Sequence, residues 1–239
     1  MKMVAIIPAR LASTRLPRKM LREIAGKPLV GLVYEAVRSS ALLDDVVVAT
    51  DSEEILAVCR EHGWHVRMTS ARHRSGTERV HEVSNSVAAD VYVNVQGDEP
   101  LIRQEHIAAL LGVMSDAAVQ VGTVMTRCPQ EEIDNPNAVK VVTDSTGRAL
   151  YFSRATIPFD RDGTSPLYFK HLGLYAFRKT ALDRFVEWPE STLEKSERLE
   201  QLRFLENGVA IYVGETPYDS IGVDTEEDLQ RVTRILQER

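Results

Sequence analysis

Over the first hundred positions, short apolar runs rich in β-branched residues alternate with longer amphipathic segments. Residues 3–7 read as a strand and residues 28–39 as a helix, with Pro28 in the first turn, where its missing N–H costs nothing. Residues 45–49 read as a second strand. A helix over residues 52–62 follows, with Asp51 as its expected N-cap, Glu54 as the capping-box partner and Gly63 as its stop. Residues 64–68 form a third predicted strand, 76–87 a helix and 91–95 a fourth strand. These strands lack clean apolar/polar alternation, so both faces are expected to be covered. With right-handed crossovers, the pattern predicts an α/β fold built on a doubly wound, mainly parallel sheet.

After residue 100 the rhythm changes. Residues 104–114 read as a helix. Residues 119–125, 138–142, 149–152 and 170–177 read as strands that need not be parallel. Helices are expected over 179–186 and 195–206, a late strand over 209–213 and a last helix over 225–237. Residues 160–166 are the expected mobile loop. No Gly/Ser-rich linker, low-complexity stretch or internal repeat interrupts the chain, so residues 1–239 are expected to form one domain. The regular pattern fills 1–100, and a smaller mixed-strand elaboration fills 101–239.

Composition narrows the class. Of 239 residues, 44% are hydrophobic and 27% charged, the balance of a folded globular chain. The formal net charge of −6 argues against a nucleic-acid polymer as partner, because coating one needs many phosphate-neutralising cations. Apolar runs are far shorter than a membrane span, and the N-terminus lacks a secretory h-region, so a cytoplasmic protein with no membrane partner is expected. Cys59 and Cys128 form no C-x-x-C pair, which fits a reducing compartment. His62 and His65 lack the spacing of a zinc helix. The charge is uneven, however. Residues 10–27 carry six bases and one acid, a net of +5; residues 215–239 carry seven acids and three bases, a net of −4.

The basic stretch contains the first candidate site. The loop after the first strand reads Pro8-Ala9-Arg10-Leu11-Ala12-Ser13-Thr14-Arg15-Leu16-Pro17-Arg18-Lys19. Ligands of doubly wound sheets sit beyond the carboxyl ends of the strands, where this loop lies. Its residues 9–19 contain no glycine, so it is neither a dinucleotide fingerprint nor a Walker A loop. It offers cations and hydroxyls instead, for which phosphate is the natural partner. The alternative is a solvated basic loop.

The fourth strand runs into Gln96-Gly97-Asp98-Glu99-Pro100, where two acids suit magnesium, which takes one or two carboxylates plus substrate phosphates. The same acids would otherwise cap the next helix. Gly222-Val223-Asp224-Thr225 offers a second carboxylate, or simply the cap of the last helix, with Glu227 or Asp228 closing a capping box. Ser75-Gly76 opens a predicted helix and suits an anion or a base, or an ordinary N-cap. Arg154 sits in an apolar setting and needs a counter-charge. His171 lies in a strand-like run, where a satisfied structural histidine is the commoner outcome.

Taken in order, these segments resemble the sugar-activating cytidylyltransferases. Ile7-Pro8-Ala9-Arg10 with Ser13-Thr14-Arg15-Leu16-Pro17-x-Lys19 is similar to that family's signature loop. Ser75-Gly76-Thr77-Glu78-Arg79, Asn94-Val95-Gln96-Gly97-Asp98-Glu99-Pro100, Asn135-Pro136-Asn137-Ala138-Val139-Lys140, Tyr151-Phe152-Ser153-Arg154-Ala155-Thr156-Ile157-Pro158, Lys170-His171-Leu172-Gly173, Leu199-Glu200-Gln201-Leu202-Arg203 and Gly222-Val223-Asp224-Thr225 then follow. The full set resembles the branch that acts on 3-deoxy-D-manno-octulosonate (KDO).

The resemblance implies a nucleotidyltransferase fold, a homodimer, magnesium as cofactor, and CTP and a KDO-type sugar acid as substrates. It further implies a cytoplasmic step supplying lipopolysaccharide synthesis, with residues 1–100 serving the nucleotide and 101–239 the sugar and the dimer. By position, Pro8, Ala9, Arg10, Arg15, Lys19, Ser75 and Gly76 match nucleotide contacts, Arg10, Lys19 and Asp98 carrying the catalysis. Asp98 and Asp224 match metal carboxylates. Gln96, Arg154, His171, Tyr175, Glu200 and Gln201 match the sugar-acid pocket. A related acceptor such as 8-amino-KDO or a sialic acid is the nearest alternative, and a noncatalytic nucleotide-binding module on the same fold the more distant one. One departure stands out: the family loop often has glycine where this chain has Arg18, which matters if position 18 needs a positive φ.

Overall fold

The structure is a computed structural model that describes residues 1–13 and 15–238; Thr14 of the first loop and Arg239 lie outside the described residues. In chain order the elements are β1 (Met3–Ala9), a 3-10 turn (Lys19–Leu21), β2 (Glu23–Ile24), β3 (Lys27–Pro28), α1 (Leu29–Arg38), β4 (Asp45–Thr50), α2 (Glu53–Glu61), β5 (Val66–Met68), α3 (Gly76–Ser84), β6 (Val91–Asn94) and α4 (Gln104–Val113). There follow β7 (Val121–Arg127), a second 3-10 turn (Gln130–Glu132), β8 (Lys140–Thr143), β9 (Ala149–Ser153), β10 (Phe169–Phe177), α5 (Lys179–Glu187), α6 (Thr192–Glu197), α7 (Leu202–Glu206), β11 (Ile211–Glu215) and α8 (Glu226–Gln237). Two compact units result: Met1–Ile107 together with Ser220–Arg239, and Ala108–Asp219.

In the first unit the strands lie side by side in the order β6-β1-β4-β5, all parallel. The chain moves outward from β1 through β4 to β5, then returns to the opposite side of β1 as β6. Strand order therefore reverses at β1, and ligand crevices of such sheets form at that reversal. The strands earn their central place by composition: Val4, Ala5, Ile6 and Ile7 are wholly buried, as are Val46, Val47, Val48, Ala49, Val91 and Val93. α1, α2 and α3 pack on these strands. A separate apolar cluster joins Leu16 of the first loop to Ile24, Leu29, Leu101, Val223, Leu229 and Val232. Leu16 is thus the anchor of the glycine-free loop, and α8 is its support.

The cap of α2 differs from the sequence expectation. Ser52, not Asp51, is the N-cap, its hydroxyl accepting from the Ile55 N–H. Asp51 is engaged elsewhere: its carboxylate pairs with the buried Arg79 of α3 at 2.9 Å. The short β2–β3 hairpin was also not expected from the sequence.

The second unit carries the mixed strands. β7 pairs with β11 in parallel and with β10 antiparallel; β8 pairs antiparallel with β10 and β9. The register of β10 shifts between Leu172 and Tyr175, a bulge that re-aims the side chains on either side. The Thr123 hydroxyl fills it, donating to the Leu174 carbonyl at 2.8 Å. At Gly214 of β11, a side chain would collide with the carbonyl of Ala109, so the absence of a Cβ there lets the two ends of this unit's chain meet. In the 160–166 loop, the Asp160 carboxylate accepts from the Thr164 and Ser165 N–H groups at 2.9 and 2.8 Å.

One predicted helix, 195–206, is two helices. α6 ends at Arg198 in the left-handed region (φ 55°, ψ 47°), and α7 starts after Gln201. The break is stabilised by Arg154, which takes the carbonyls of Glu197 and Arg198 that a continuing helix would have bonded to its next turn. Across the break, Arg203 and Glu194 form a buried two-pronged ion pair at 2.7 and 2.5 Å, with the guanidinium over the Phe185 ring.

Candidate active site

The centre of the first unit's site is the Lys19 ammonium. It lies 2.5 Å from Asp98 Oδ2 and 2.9 Å from Asp224 Oδ1. The other Asp224 oxygen meets Arg15 Nη2 at 3.0 Å. The Lys19 side chain is only 10% exposed. Burial alone pulls its pKa down, but the two carboxylates outweigh that and hold it above its ordinary value.

Three local features assemble this group. The first loop is closed by Leu16, whose N–H donates to the Ser13 hydroxyl, and then by Arg18 at φ 56°, ψ 32°, which turns the chain into the 3-10 helix carrying Lys19. Gly97 sets the level of Asp98: a Cβ there would lie 2.8 Å from the Pro8 carbonyl oxygen and 3.0 Å from Met20 Sδ. Only a glycine lets the β6 exit run this close to the end of β1. Asp224 is aligned by the backbone, because the Val223 N–H donates to the Asp98 carbonyl at 2.8 Å. The Thr225–Asp228 capping box then starts α8 directly after it.

The two neighbouring acids of the β6 exit separate. Asp98 faces Lys19, whereas Glu99 accepts from the Ser220 hydroxyl at 2.9 Å. Arg18 is the residue whose role the sequence left open. It occupies the left-handed conformation that favours glycine, and its guanidinium pairs with Glu54 of α2 at 2.6 Å.

Arg10 is exposed directly after the end of β1, preceded by the half-buried Pro8 and the buried Ala9. Ser75 caps α3, its hydroxyl accepting from the Glu78 N–H. Gly76 lies against the Pro8 ring and the Asn94 carboxamide. The segment before α3 is tied down by the helix's own acids: Glu78 accepts from the Arg74 N–H and Glu82 from the Ser70 N–H and from His73. Arg79 completes the frame with bonds to Asp51 and Thr69, the residues that follow β4 and β5.

In the second unit, His171, Tyr175, Phe152 and Thr123 come together. The His171 ring stands edge-on to Phe152 at 5.0 Å and lies 5.3 Å from Tyr175. Its Nε2 is 2.9 Å from the Thr123 hydroxyl. Burial pushes its pKa down to about 3, so it is neutral at ordinary pH. Gln201 is buried, its Nε2 without a hydrogen-bond partner among the described residues, and Glu200 is half-buried beside it in the turn between α6 and α7. Both were expected on a continuous helix. Arg154 donates to three backbone carbonyls, of Glu197, Pro136 and Arg198. That leaves two of its five N–H bonds for a ligand.

The cytidylyltransferase family matches residues 4–211. The chain is 66% identical to the 3-deoxy-manno-octulosonate cytidylyltransferase of Koribacter versatilis (strain Ellin345) over 239 residues, which is 100% of this chain and 91% of that one. It is 55% identical to the protein of the same name from Acidobacterium capsulatum, covering 100% and 98% of the two chains. The chain belongs to the 3-deoxy-manno-octulosonate cytidylyltransferases. Among solved structures, a CMP:2-keto-3-deoxy-manno-octonic acid synthetase complexed with CTP superimposes with a TM-score of 0.96 at 40% identity, covering 100% and 99% of the chains. The inositol-1-phosphate CTP transferase from T. maritima shares the fold alone, at 13% identity and a TM-score of 0.72.

In this cytidylyltransferase, sequence reasoning passed over Asn94. It is 2% exposed, and its Oδ1 has no hydrogen-bond partner among the described residues. A buried acceptor left open is uncommon in a folded chain. The signal was present as one amide inside the apolar run Val91-Tyr92-Val93-Asn94-Val95.

Proposed function

We infer that this cytidylyltransferase transfers CMP from CTP to KDO, releasing pyrophosphate and forming the CMP-KDO used in lipopolysaccharide synthesis. The observation that carries the reading is the Lys19–Asp98–Asp224 group at the reversal of strand order, in a chain this similar to proteins of that name. The anomeric hydroxyl of KDO attacks the α-phosphorus of CTP in line. A new O–P bond forms, the bond to the bridging oxygen breaks, pyrophosphate leaves with the electron pair, and the hydroxyl proton is lost to solvent. Such transfers depend chiefly on positioning and electrostatics.

Arg10, Arg15 and Lys19 take the triphosphate, and Arg10 and Lys19 oppose the charge growing on pyrophosphate. Pro8 and Ala9 flank the nucleotide. Ser75 and Gly76 take its cytosine side at the N-terminus of α3, and Asn94 offers its open carboxamide oxygen to a donor of the nucleoside. Gln96, Arg154, His171, Tyr175, Glu200 and Gln201 serve the sugar acid, with neutral His171 acting as a hydrogen-bonding group and not as a cation.

Magnesium is the implied metal. Asp98 and Asp224 already converge on one cation, and among the described residues no cluster of three or more ligating side chains competes with them. Two hard carboxylates completed by substrate phosphates are a donor set that suits magnesium. When bound, it would neutralise phosphate oxygens and lower the pKa of a coordinated hydroxyl. A homodimer is the assembly the family resemblance implies, and the exposed Leu150, Phe159 and Leu167 of the second unit are apolar residues that such a contact would cover. A cytoplasmic location is supported by two free, buried cysteines. No helix among the described residues is long and apolar enough to cross a membrane.

The test is pyrophosphate release with magnesium and CTP against KDO, 8-amino-KDO and a sialic acid. Rapid release with KDO is expected, and near-complete loss in Asp98→Asn, which keeps shape and removes charge. Preference for another acceptor would reassign the substrate; release from no acceptor would leave a binding module; full activity in Asp98→Asn would remove the metal role.

A further inference from the structure

Lys19 is the positive partner of the same two carboxylates that the proposed function gives to a metal. Three of the four carboxylate oxygens of Asp98 and Asp224 face a protein cation: two face the Lys19 ammonium, and one faces Arg15. The two negative charges are matched by two positive ones. Asp98 is 25% exposed and Asp224 43% exposed, whereas the Lys19 side chain that reaches between them is 10% exposed. The arrangement is also held from behind, through the Val223–Asp98 backbone bond and the close passage of Gly97 by Pro8. A divalent ion arriving alone would have to displace an ammonium bound by hydrogen bonds of 2.5 and 2.9 Å and would leave the Lys19 side chain without a partner in a largely buried position. A triphosphate changes the balance, since its oxygens offer Lys19 and Arg15 an alternative anion.

We propose that Lys19 is the resident counter-cation of the Asp98–Asp224 pair, so that the pair opens to a divalent metal only when a nucleotide triphosphate draws the Lys19 ammonium away. Free metal is thereby excluded, and metal and nucleotide are taken up together or nucleotide first. This inference rests on the reading of Asp98 and Asp224 as metal carboxylates. It adds a second role to Lys19, that of holding the site closed before CTP arrives.

The experiment is a titration of the whole protein with Mn2+ alone, followed by the EPR signal of free Mn2+, for the wild type, Asp98→Asn, Lys19→Met and Lys19→Gln. The same titrations are repeated with CTP and no sugar acid. If the carboxylates are open only a tenth of the time or less, the Lys19 variants bind Mn2+ alone at least about tenfold more tightly than the wild type. Wild type with CTP should show an Asp98-dependent site. Lys19→Met leaves two carboxylates facing each other, so it should melt below the wild type and regain stability with Mg2+, while the wild type barely responds.

Wild type binding Mn2+ alone as tightly as the variants, in a way that Asp98→Asn abolishes, overturns the counter-cation role and leaves the metal carboxylates standing. No Asp98-dependent Mn2+ site even with CTP overturns the metal reading, and the inference with it. Should both Lys19 variants fail to fold, the wild-type titration without nucleotide decides: a saturable, Asp98-dependent site at submillimolar Mn2+ refutes the proposal, and its absence, with the site appearing on addition of CTP, supports it.

Discussion

Arg18 and Glu54 form an ion pair at 2.6 Å between the first loop and α2. The pair directs the Arg18 side chain to α2 while its backbone adopts the left-handed conformation at φ 56°. Arg18→Gly and Arg18→Ala both lose the pair, but only the glycine removes the Cβ penalty of that conformation. Arg18→Gly should therefore be more stable than Arg18→Ala by about 1 kcal/mol, read by urea denaturation. Both variants should keep the wild-type KM for CTP. A large rise in that KM would mean that Arg18 reaches the triphosphate.

Gly97 and Gly76 border the same crevice, but their tolerances differ. A Cβ at Gly97 meets the Pro8 carbonyl at 2.8 Å, whereas a Cβ at Gly76 meets nothing nearer than the Pro8 ring at 3.5 Å. Gly97→Ala should cost about 1–3 kcal/mol through overpacking and should depress turnover by moving Asp98. Gly76→Ala should melt with the wild type. Equal melting temperatures for the two variants would contradict the close passage of the β6 exit by β1.

Arg154 joins the α6 terminus to Pro136 by three N–H bonds to carbonyls. Arg154→Ala leaves those carbonyls without their donor and should cost about 1–3 kcal/mol. Since Glu200 and Gln201 sit in the turn so held, the KM for KDO should rise far more than that for CTP. A defect confined to CTP would separate this turn from the sugar acid.

His171 makes stability depend on acid. Its folded pKa, about 3, lies below the ordinary value, so below pH 6.5 the unfolded chain binds more protons than the folded one. Stability should therefore fall as pH drops from about 6.5 toward 3, by at most about 1.4 kcal/mol per pH unit from this group. Melting curves of the wild type and His171→Asn over that range check the point. The variant should lose less stability on acidification, and parallel curves would mean that His171 titrates normally.

The first unit was legible because its strands are buried on both faces and its helices carry local stop signals such as Gly63. The errors came where tertiary partners outbid local ones. Asp51 is as good a cap as Ser52 by itself, but Arg79 claims its carboxylate. The 195–206 segment has helical composition throughout, but Arg154, more than forty positions upstream, satisfies the carbonyls at the break. Motif order offered Asp98 and Asp224 as a pair of metal carboxylates and Lys19 as a triphosphate contact. No local pattern states that the Lys19 ammonium joins the two carboxylates, or that Glu99 turns instead to Ser220. Asn94 was missed because an amide in an apolar run reads as an interrupted strand, and only the packed structure reveals that its oxygen lacks a donor among the described residues.

The missing Cβ of Gly214 reaches further than β11. Asp98 and Asp224 stand 126 positions apart in the chain, and closing a flexible loop of that length would cost on the order of 4 kcal/mol in chain entropy, before a constant term. The close approach of Gly214 to Ala109 shortens the loop by bringing the ends of the intervening unit together. A bulky residue at Gly214 would thus weaken the carboxylate pair without touching it, by lengthening the tether between its members.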